Sequence, residues 1–356
     1  MPDTPTTYSP AEDRYDARPE GWFRRAGKSG LLLPAVSLGF WHNFGRPGSD
    51  SRKSPDEATM HANATAIVRT AFDAGITHLD FANNYGPPPG SAETRVGRIL
   101  KDDFAGHRDE MIISTKAGWP MWPGPYGEKT SRKSLLASLD QSLQRLGLDY
   151  VDVYYAHRPD YDCPLEETLG ALEQAVTSGK ALYTAVSGFP ATMTQRAVDV
   201  AAARGFQKPV LHQPRYNMFD RWIEEGTAPG DSLIEVAGQA GVGLIPFSAL
   251  DQGMLTDKYL DGIPDDSRAA NSAGELAADA VTADKVAQAK QLQGIAKERG
   301  QSLPQLALAW ALRDPRIASC IIGASRPEQV TDCCGCLDAG PLDAETLDRI
   351  ESILAG

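Results

Sequence analysis

This sequence of 356 residues lacks long hydrophobic runs and has no excess of basic residues. No stretch approaches the ~18 consecutive apolar residues of a transmembrane helix, so we expect no membrane partner. The net charge of −12 argues against nucleic acid as a partner, because nucleic acid rewards clustered Lys and Arg. The five cysteines form no spaced framework of pairs, and residues 1–20 contain no apolar core of a secretory signal. We therefore predict a cytoplasmic protein.

Cys333, Cys334 and Cys336 lie close together near the C-terminus. Such a cluster could hold a metal ion or take part in redox chemistry. A structural zinc site needs four ligands, however, and no fourth ligand is evident. Packing of small side chains along a helix is the simpler interpretation, so we predict no metal site.

Short runs rich in Val, Ile, Leu and Tyr alternate with longer amphipathic segments, which is typical of βα units around a parallel sheet. The predicted strands are residues 35–39, 76–81, 111–115, 151–156, 181–186, 210–212, 243–246 and 318–322. The predicted helices are residues 57–74, 132–146, 165–178, 192–204, 232–240, 285–299, 303–312 and 328–337. Five of the helices end at a glycine, as a left-handed C-cap requires: Gly75, Gly147, Gly179, Gly205 and Gly241.

This alternation predicts an α/β protein with a single (β/α)8 domain, a TIM barrel. An open, doubly wound sheet is the structural alternative. We place the barrel at residues 22–341, with an N-terminal arm at 1–21 that is mobile or docks late, and a C-terminal helix at 342–356. Residues 256–282 are rich in Asp, Ala, Gly and Ser and predict an exposed loop.

Four residues that can carry chemistry lie at or just beyond the ends of three predicted strands. Asp80 is in one strand, Tyr85 follows it by five residues, and Lys116 and His157 come directly after two others. Catalytic groups of (β/α)8 barrels lie at the C-terminal ends of strands, so these four should meet on one rim. Taken singly, Asp80 could cap a loop, Tyr85 could pack and Lys116 could snorkel. His157 could be a buried, hydrogen-bonded core residue. These separate explanations do not account for the shared position.

The chemistry of these residue types does account for it. A lysine ammonium favours a nearby phenolate, so we expect Lys116 to lower the pKa of Tyr85. The carboxylate of Asp80 should keep the lysine charged and aimed, and a neutral His157 can hydrogen-bond a carbonyl oxygen. The group predicts a tyrosine acting as general acid near neutral pH, a role worth roughly 10²–10⁴-fold in rate.

The segment from Gly75 to Gly86 closely resembles the signature around the catalytic Asp and Tyr of the aldo-keto reductase family. Residues 112–116 and 152–157 look like the strands that carry the Lys and His of that family. The likeness runs from about residue 22 to residue 337 and is closest to the bacterial L-glyceraldehyde 3-phosphate reductases, relatives of the potassium-channel β-subunits. Other segments that carry it are residues 37–45, 85–91, 121–126 and 262–268. The resemblance implies a (β/α)8 fold, NADPH as cofactor and the four residues above as the catalytic group.

No Gly-x-Gly-x-x-Gly segment follows a predicted strand, so we expect no Rossmann site. The resemblance implies instead that NADPH lies extended across the barrel mouth. It assigns the nicotinamide carboxamide to Ser187 and Gln213, the stacking on the ring to Phe247, and the pyrophosphate to the backbone of residues 248–255. The predicted cofactor-binding residues are Trp41, Asp80, Ser187, Gln213, Phe247, Ser248, Leu250, Gln252, Gly253, Lys258, Arg268, Gly323, Ser325, Arg326, Gln329 and Asp332.

Within that set, the resemblance gives Ser325 and Arg326 the 2′-phosphate, which favours NADPH over NADH. Lys258 and Arg268 would form a clasp over the cofactor. Structural explanations stay open for several of these residues. Phe247 could be barrel packing, Lys258 and Arg268 could be solvated surface charges, and Ser325 could be only an N-cap.

The chain departs from the family pattern at four places. Phe81 stands where many members have Thr, and Gly188 stands where many have Asn, which removes one carboxamide partner. Phe247 replaces a stacking Tyr or Trp and so lacks a polar group. Asp332 and Cys333 stand where most members have Glu and Asn, which alters the expected adenine contacts.

Trp41, Tyr85, Trp119 and Trp122 predict an aromatic wall around the substrate, suited to small aldehydes. We therefore predict NADPH-dependent aldehyde reduction, with L-glyceraldehyde 3-phosphate or methylglyoxal-like substrates implied by the resemblance. An NADPH-binding regulatory module like a channel β-subunit is one alternative, although the β-subunits carry Asn at the place of His157. A lyase that forms a Schiff base through its strand-end lysine is another, and the predicted cofactor clasp argues against it. The oligomeric state, including a homo-oligomer, stays open.

Overall fold

The computed structural model describes residues 8–45, 56–264, 267, 269–270 and 278–356. Eight of its strands form one parallel sheet, in which strands that follow one another along the chain are neighbours. They are β3 (Val36–Gly39), β4 (His78–Asp80), β5 (Ile112–Ala117), β6 (Val151–Ala156), β7 (Ala181–Ser187), β8 (Leu211–Gln213), β9 (Gly243–Leu244) and β10 (Cys320–Gly323). All eight predicted strands are confirmed, with shifts of up to two residues at their ends.

The sheet is curled, because its last strand in sequence, β10, pairs in parallel with its first, β3. The strand before it, β9, lies at the other edge of the sheet. A parallel bridge joins Leu244 of β9 to Ile317, just before β10. In addition, the Ile321 N–H donates to the Pro246 carbonyl at 2.9 Å. The open, doubly wound alternative does not account for these bonds between its two edges.

Ten α-helices lie among the described residues. They are α1 (Glu57–Asp73), α2 (Ser91–Asp103), α3 (Arg132–Leu146), α4 (Leu165–Thr177), α5 (Ala191–Arg204), α6 (Leu233–Ala240), α7 (Ala283–Glu298), α8 (Leu303–Ala311), α9 (Pro327–Cys334) and α10 (Ala344–Ala355). The eight predicted helices are confirmed. Gly147, Gly205 and Gly241 end α3, α5 and α6 with φ near +68°, as predicted from their position.

Helix α2 was not predicted from the sequence. It follows Gly90, which has a φ of +84° and offers no side-chain cap, so the usual start signal is missing. Val96, Ile99 and Leu100 nevertheless form a buried face at helical spacing. The helical spacing of apolar residues therefore indicates this helix, although the sequence offers no capping residue for it.

An antiparallel hairpin, β1 (Phe23–Arg25) and β2 (Leu32–Pro34), precedes the sheet and was also not predicted. It lies at the amino ends of the strands, where the Lys28 N–H donates to the Gly241 carbonyl at 3.0 Å. Residues Leu31 and Leu33 join the apolar cluster inside the sheet. The hairpin thereby covers the end of the sheet opposite the predicted catalytic rim.

Two predictions about loops have different outcomes. The N-terminal arm was expected to be mobile or to dock late, and residues 8–21 are docked, because the Tyr8 hydroxyl donates to Asp73 of α1 at 2.7 Å and the Tyr15 hydroxyl to Glu110 at 2.6 Å. The exposed loop predicted at 256–282 is wrong for Tyr259, which is only 1% exposed. Its ring packs with Met254, so apolar anchors hold part of the insert down.

Side chains alternate along each strand, so every strand sends one set inward and the other toward the helices. Val153, Tyr155 and Leu211 belong to the inward cluster. Tyr154 faces the helices, where its hydroxyl donates to the Leu135 carbonyl of α3 at 2.6 Å. Within the described part of the chain, no helix is long and apolar enough to cross a membrane.

Candidate active site

The carboxyl ends of β4, β5 and β6 bring three of the predicted catalytic residues together. Asp80 is the last residue of β4, Lys116 lies near the end of β5, and His157 follows β6 directly. Asp80 pairs in register with Ser114, two residues before the lysine on the same face of β5. The period-2 alternation therefore points Asp80 and Lys116 to the same side of the sheet.

Asp80 and Lys116 form a buried ion pair. The Lys116 Nζ lies 2.6 Å from Asp80 Oδ2, and the two side chains are 0% and 2% exposed. The same ammonium donates to the Phe81 carbonyl at 2.6 Å. The other carboxylate oxygen, Oδ1, accepts hydrogen bonds from the Ser114 hydroxyl at 2.7 Å and from Gln213 Nε2 at 3.1 Å. Both charges are thus satisfied without water, which a dry interior requires.

Tyr85 lies between this ion pair and His157. Its ring centroid is 5.1 Å from Lys116 Nζ and 5.8 Å from the centroid of the His157 ring. A second phenol, Tyr155, has its ring centroid 5.4 Å from the same Nζ, but it precedes His157 by two residues on β6 and lies deeper. The predicted group of four residues is therefore contiguous in space.

The predicted direction of the Tyr85 pKa is wrong. Burial, together with the Asp80 carboxylate, raises the pKa of Tyr85 well above its ordinary value. Burial also lowers the pKa of Lys116, while the neighbouring Asp80 opposes that change. The largest cause is the desolvation of the buried phenol, and the Asp80 carboxylate at 2.6 Å balances part of the lysine charge that would otherwise oppose it. Tyr85 is consequently held as the protonated phenol, which has a proton to donate.

His157 is a neutral imidazole. Burial, then the charges of Lys116 and Arg158, lower its pKa well below the ordinary value. Its Nδ1 is buried and finds no hydrogen-bond partner among the described residues. A neutral ring beside the phenol agrees with the predicted state of this histidine.

The predicted aromatic wall is partly assembled. The Trp119 ring lies edge-on to His157, with centroids 6.2 Å apart and planes at 87°, and it is 43% exposed. The Arg158 guanidinium lies 4.4 Å from the Trp119 ring centroid and forms an ion pair with Glu128 at 3.0 Å. Trp41 packs against His42, with ring centroids 4.0 Å apart. This side of the site therefore combines an aromatic surface with a cation.

Trp122 belongs to the same loop as Trp119, but among the described residues no hydrogen bond or ring contact joins it to Tyr85 or His157. A Cβ at Gly127 would lie only 1.8 Å from the Trp122 carbonyl oxygen, so only glycine fits at that position. The loop also turns back through the Met121 N–H, which donates to the Gly127 carbonyl at 2.8 Å. The substrate role of Trp122 stays a prediction.

The residues predicted to hold the nicotinamide lie together at the ends of β7 and β8. The buried Ser187 hydroxyl donates to the Gln213 carbonyl at 2.9 Å, and the Gln213 side-chain amide donates to Asp80. Gly188 follows with a φ of +67°, and a Cβ there would meet only Pro159 Cδ, at an ordinary contact distance of 3.9 Å. Because Gly and Asn are the residues that adopt this conformation most readily, the backbone at this position suits either residue.

Phe247 comes just after β9, is half-buried, and forms a parallel bridge with Arg215. The loop that follows carries three residues besides glycine with positive φ, namely Ser248, Asp251 and Gln252. Leu250 has a φ of −102° and a ψ of 17° and Asp251 has a φ of +43°, and a right-handed residue followed by a left-handed one is the backbone geometry of an anion-binding nest. Asp251 anchors the loop through Arg215 and Lys285, at 3.0 and 2.8 Å. The chemistry of this loop fits a pyrophosphate.

The start of α9 differs in detail from its prediction. Arg326, not Ser325, is the N-cap residue, so the interpretation of Ser325 as an N-cap is wrong. The Ser325 N–H and hydroxyl both donate to Gln329 Oε1, at 2.8 and 3.2 Å, and both Ser325 and Arg326 are exposed beyond Gly323. A hydroxyl and a guanidinium accessible at a helix start fit a phosphate.

Three further predicted cofactor residues have other placements. Asp332 accepts hydrogen bonds from Ser302 and Gln305 at 3.1 Å each, so its carboxylate ties α9 to α8. Lys258 lies beside the Tyr259 ring, with Nζ 5.8 Å from the centroid. Arg268 lies outside the described residues. The clasp and the adenine contact therefore stay predictions.

The cysteine cluster is part of the core. Cys333, Cys334 and Cys336 are all at most 4% exposed, and all three are free thiols. Burial raises the pKa of Cys334 to about 12 and that of the other two well above the ordinary value. Buried thiols with raised pKa values are poor nucleophiles, which fits packing better than redox chemistry.

Sequence reasoning missed the polar residues beneath the catalytic group. His78, Ser114 and Ser37 are fully buried inside the sheet and hydrogen-bonded to one another. The period-2 alternation of strand residues could have identified them, since His78 precedes Asp80 by two residues and Ser114 precedes Lys116 by two. Polar residues at those positions face the same interior as the catalytic ones.

Comparison with known proteins agrees with this geometry. Residues 35–355 match the aldo/keto reductase family. The chain is 48% identical over 341 residues to L-glyceraldehyde 3-phosphate reductase of Escherichia coli strain K12, covering 94% of this chain and 92% of that protein. It is 34% identical over 335 residues to proteins of Oryza sativa subsp. japonica and Arabidopsis thaliana, each named "Probable voltage-gated potassium channel subunit beta", covering 93% of this chain and 96% of each relative. The chain belongs to the aldo/keto reductase family.

Proposed function

We propose that this member of the aldo/keto reductase family reduces small aldehydes to alcohols with NADPH, and that Tyr85 is the general acid. The chain is an oxidoreductase by family, and aldo/keto reductases use NAD(P)H. The observation that carries the finer proposal is the arrangement of Tyr85 between the Lys116–Asp80 ion pair and a neutral His157.

The contacts between the two edges of the sheet support a closed barrel. Hydrogen bonds join β9 to the chain leading into β10, while β10 pairs with β3. A parallel sheet linked in this way around its circumference is a (β/α)8 barrel. We assign the barrel to residues 22–341 and the C-terminal helix to residues 342–356.

NADPH, when bound, supplies a hydride to the carbonyl carbon of the aldehyde. Tyr85 donates its proton to the carbonyl oxygen, so that the C=O double bond becomes a C–O single bond with one new C–H and one new O–H bond. The raised pKa keeps this proton on the phenol until negative charge develops on the oxygen. Lys116 stabilises the phenolate that is left, and the Asp80 carboxylate keeps the lysine in place at 2.6 Å. His157 orients the carbonyl through its ring, and water returns a proton to Tyr85.

The chain offers suitable groups for each part of the cofactor. Ser187 and Gln213 would hold the carboxamide and Phe247 the ring, with the left-handed loop after it at the pyrophosphate. The exposed Ser325 and Arg326 would hold the 2′-phosphate, which is the reason to propose NADPH over NADH. Replacing the guanidinium by Arg326→Gln should raise the KM for NADPH and leave the KM for NADH nearly unchanged.

The substrate class follows from the aromatic wall and its cation. Trp119 and His157 form a narrow, partly exposed aromatic surface, and Arg158 adds a positive charge beside it. A short aldehyde with an anionic end fits this combination, and the Escherichia coli relative is named for such a compound, L-glyceraldehyde 3-phosphate. Methylglyoxal-like compounds are the uncharged members of the same size class.

The test is NADPH oxidation, followed at the near-UV band of the cofactor, with a panel of small aldehydes and NADH as a comparison. Tyr85→Phe should lower kcat roughly 10²–10⁴-fold, because it removes only the donated proton. Tyr155→Phe is the matched control, since it removes a phenol at nearly the same distance from Lys116 but deeper in the sheet. Full turnover by Tyr85→Phe would overturn the assignment.

A regulatory module is the second candidate, favoured by the 34% identity to the plant proteins named for channel β-subunits. It predicts tight NADPH binding without turnover of any aldehyde. The Schiff-base lyase is less favoured, because Lys116 is buried and both Asp80 and the Phe81 carbonyl hold its ammonium. Borohydride trapping with substrate separates that reaction from reduction. A homo-oligomer and a cytoplasmic location stay predictions.

A further inference from the structure

A chain of hydrogen bonds runs through the interior of the sheet and ends on Asp80. The Ser319 and Ser37 hydroxyls are 2.6 Å apart, and the Ser37 hydroxyl is 2.8 Å from His78 Nδ1. His78 Nε2 is 3.0 Å from the Ser114 hydroxyl, which in turn is 2.7 Å from Asp80 Oδ1. All five residues are at most 1% exposed. The chain of bonds thus runs from Ser319, just before β10, through β3, β4 and β5 in the buried interior.

The donor and acceptor in every hydrogen bond follow from the Asp80 carboxylate at which the chain of bonds ends. A carboxylate only accepts, so the Ser114 hydroxyl must donate its single hydrogen to Asp80. Its oxygen can then only accept from His78, which fixes the proton of a neutral imidazole on Nε2. The Nδ1 atom is therefore an acceptor and takes the Ser37 hydrogen, and Ser37 in turn accepts from Ser319. Burial lowers the pKa of His78 to about 4, so the ring is neutral near pH 7.

We propose that His78 and Ser114 are positioning residues for the reduction, holding Asp80 so that its Oδ2 faces Lys116. The role rests on the proposed function. Ser114 and Gln213 both occupy Oδ1, which leaves Oδ2 for the lysine at 2.6 Å. The lysine position in turn sets the stabilising charge near Tyr85. Four bonds donated in one direction polarise one another in a dry interior, which strengthens the last of them.

Simple space filling does not explain these residue types. Apolar residues such as Val153, Leu211 and Ile245 fill other parts of the same interior. A buried imidazole and three hydroxyls are costly there unless each group is bonded, so an apolar set would fill the volume at lower cost. What the polar set adds is a directed donor aimed at the catalytic carboxylate.

The tautomer of His78 tests the chain without any activity assay. In nitrogen-15 spectra of the histidine-labelled protein, with the His78→Gln spectrum identifying the resonance, we expect a neutral ring protonated on Nε2 from about pH 8 to about pH 6. A ring protonated on Nδ1, or a charged ring near pH 7, would reverse the direction of the chain and overturn the proposal.

Two adjacent hydroxyls give a matched pair for the kinetic test. Ser114→Ala removes the donor to Asp80, while Thr115→Val removes a buried hydroxyl that donates to Glu93 at 2.6 Å on the other face of β5. Both lose one buried bond to a carboxylate. We expect Ser114→Ala to lower kcat roughly 10–100-fold, as for a misplaced catalytic group, and to move the acid limb of its pH profile upward. Thr115→Val should keep the wild-type profile.

Two substitutions of His78 separate the loss of its hydrogen-bond donor from the loss of its side-chain volume. His78→Leu should resemble Ser114→Ala, and His78→Gln, which keeps an N–H at the place of Nε2, should recover most of kcat. The Kd for NADPH should change less than about 2-fold in all four variants, because Ser114 and His78 lie beneath the catalytic group. Identical pH profiles for Ser114→Ala and Thr115→Val would overturn the proposal. A wild-type protein that reduces no aldehyde would overturn the reductase function and this catalytic role, and the tautomer would still decide whether the chain exists.

Discussion

Lys116→Met should destabilise the protein strongly, because it removes one partner of a buried ion pair and leaves the other. The change keeps most of the side-chain volume but leaves the Asp80 carboxylate, 1% exposed, without a counter-charge. The Phe81 carbonyl also loses its donor at 2.6 Å. The expected cost comes from electrostatics rather than from a cavity.

The magnitude follows from distance and burial. At 2.6 Å, two unit charges attract by about 1.6 kcal/mol in water and by about 6 kcal/mol at an effective dielectric constant of about 20. Desolvation offsets much of that attraction in the intact pair, but a lone buried charge keeps the penalty. We therefore expect Lys116→Met to lower the free energy of unfolding by about 3–5 kcal/mol.

The chain offers a control at the same distance. Lys180 and Asp140 are also 2.6 Å apart, but their side chains are 44% and 51% exposed. Lys180→Met should cost at most about 1 kcal/mol, since solvent screens an exposed pair. The comparison holds residue type and separation constant and changes burial alone.

Urea unfolding followed by tryptophan fluorescence measures both variants. In the double variant Lys116→Met with Asp80→Asn, the loss should be smaller than the sum of the single losses by about 0.5–3 kcal/mol, because no unpaired charge remains. Equal costs for Lys116→Met and Lys180→Met, or strict additivity in the double variant, would refute the reasoning. In that case the pair would not be a charged pair in a dry interior.

Three other predictions concern the rest of the site. Gly188→Asn should be tolerated and lower the Kd for NADPH, because Asn adopts the φ of +67° and adds an amide, whereas Gly188→Val should lower the free energy of unfolding by at least about 1 kcal/mol. The pKa values of His78 and His212 are lowered to about 4 by burial, so the unfolded chain binds more protons between about pH 6.5 and pH 4. The free energy of unfolding should therefore decrease as the pH is lowered through this range, by up to roughly 1.4 kcal/mol per pH unit for each histidine, and urea titrations that show no decrease toward pH 4 would contradict it. Arg158→Leu should raise the KM for a phosphorylated aldehyde at least about 10-fold and leave an uncharged aldehyde of the same length nearly unaffected in steady-state assays, and equal changes for both would exclude phosphate recognition.

The order of the strands and the place of the proposed catalytic residues could be predicted from the sequence. Alternation of strand and helix patterns predicted a parallel sheet, and residues such as Lys116 and His157 stood directly at the predicted strand ends. Parallel strands bring their carboxyl ends to one edge of the sheet, so residues at the ends of neighbouring strands lie close together. The assembled group of four was therefore predictable without a structure.

Tertiary structure decided the electrostatics of that group. The pKa of Tyr85 was predicted in the wrong direction, because only the folded protein shows that the phenol is buried and lies near the Asp80 carboxylate. Pairings between distant residues have no local signal, as with the bonds that join Ser319, Ser37 and His78. The burial of a side chain has no local signal in the sequence either, since it depends on every element packed around that side chain. The sequence by itself determined which residues meet, and the packing determined their charge states and the donors that hold them.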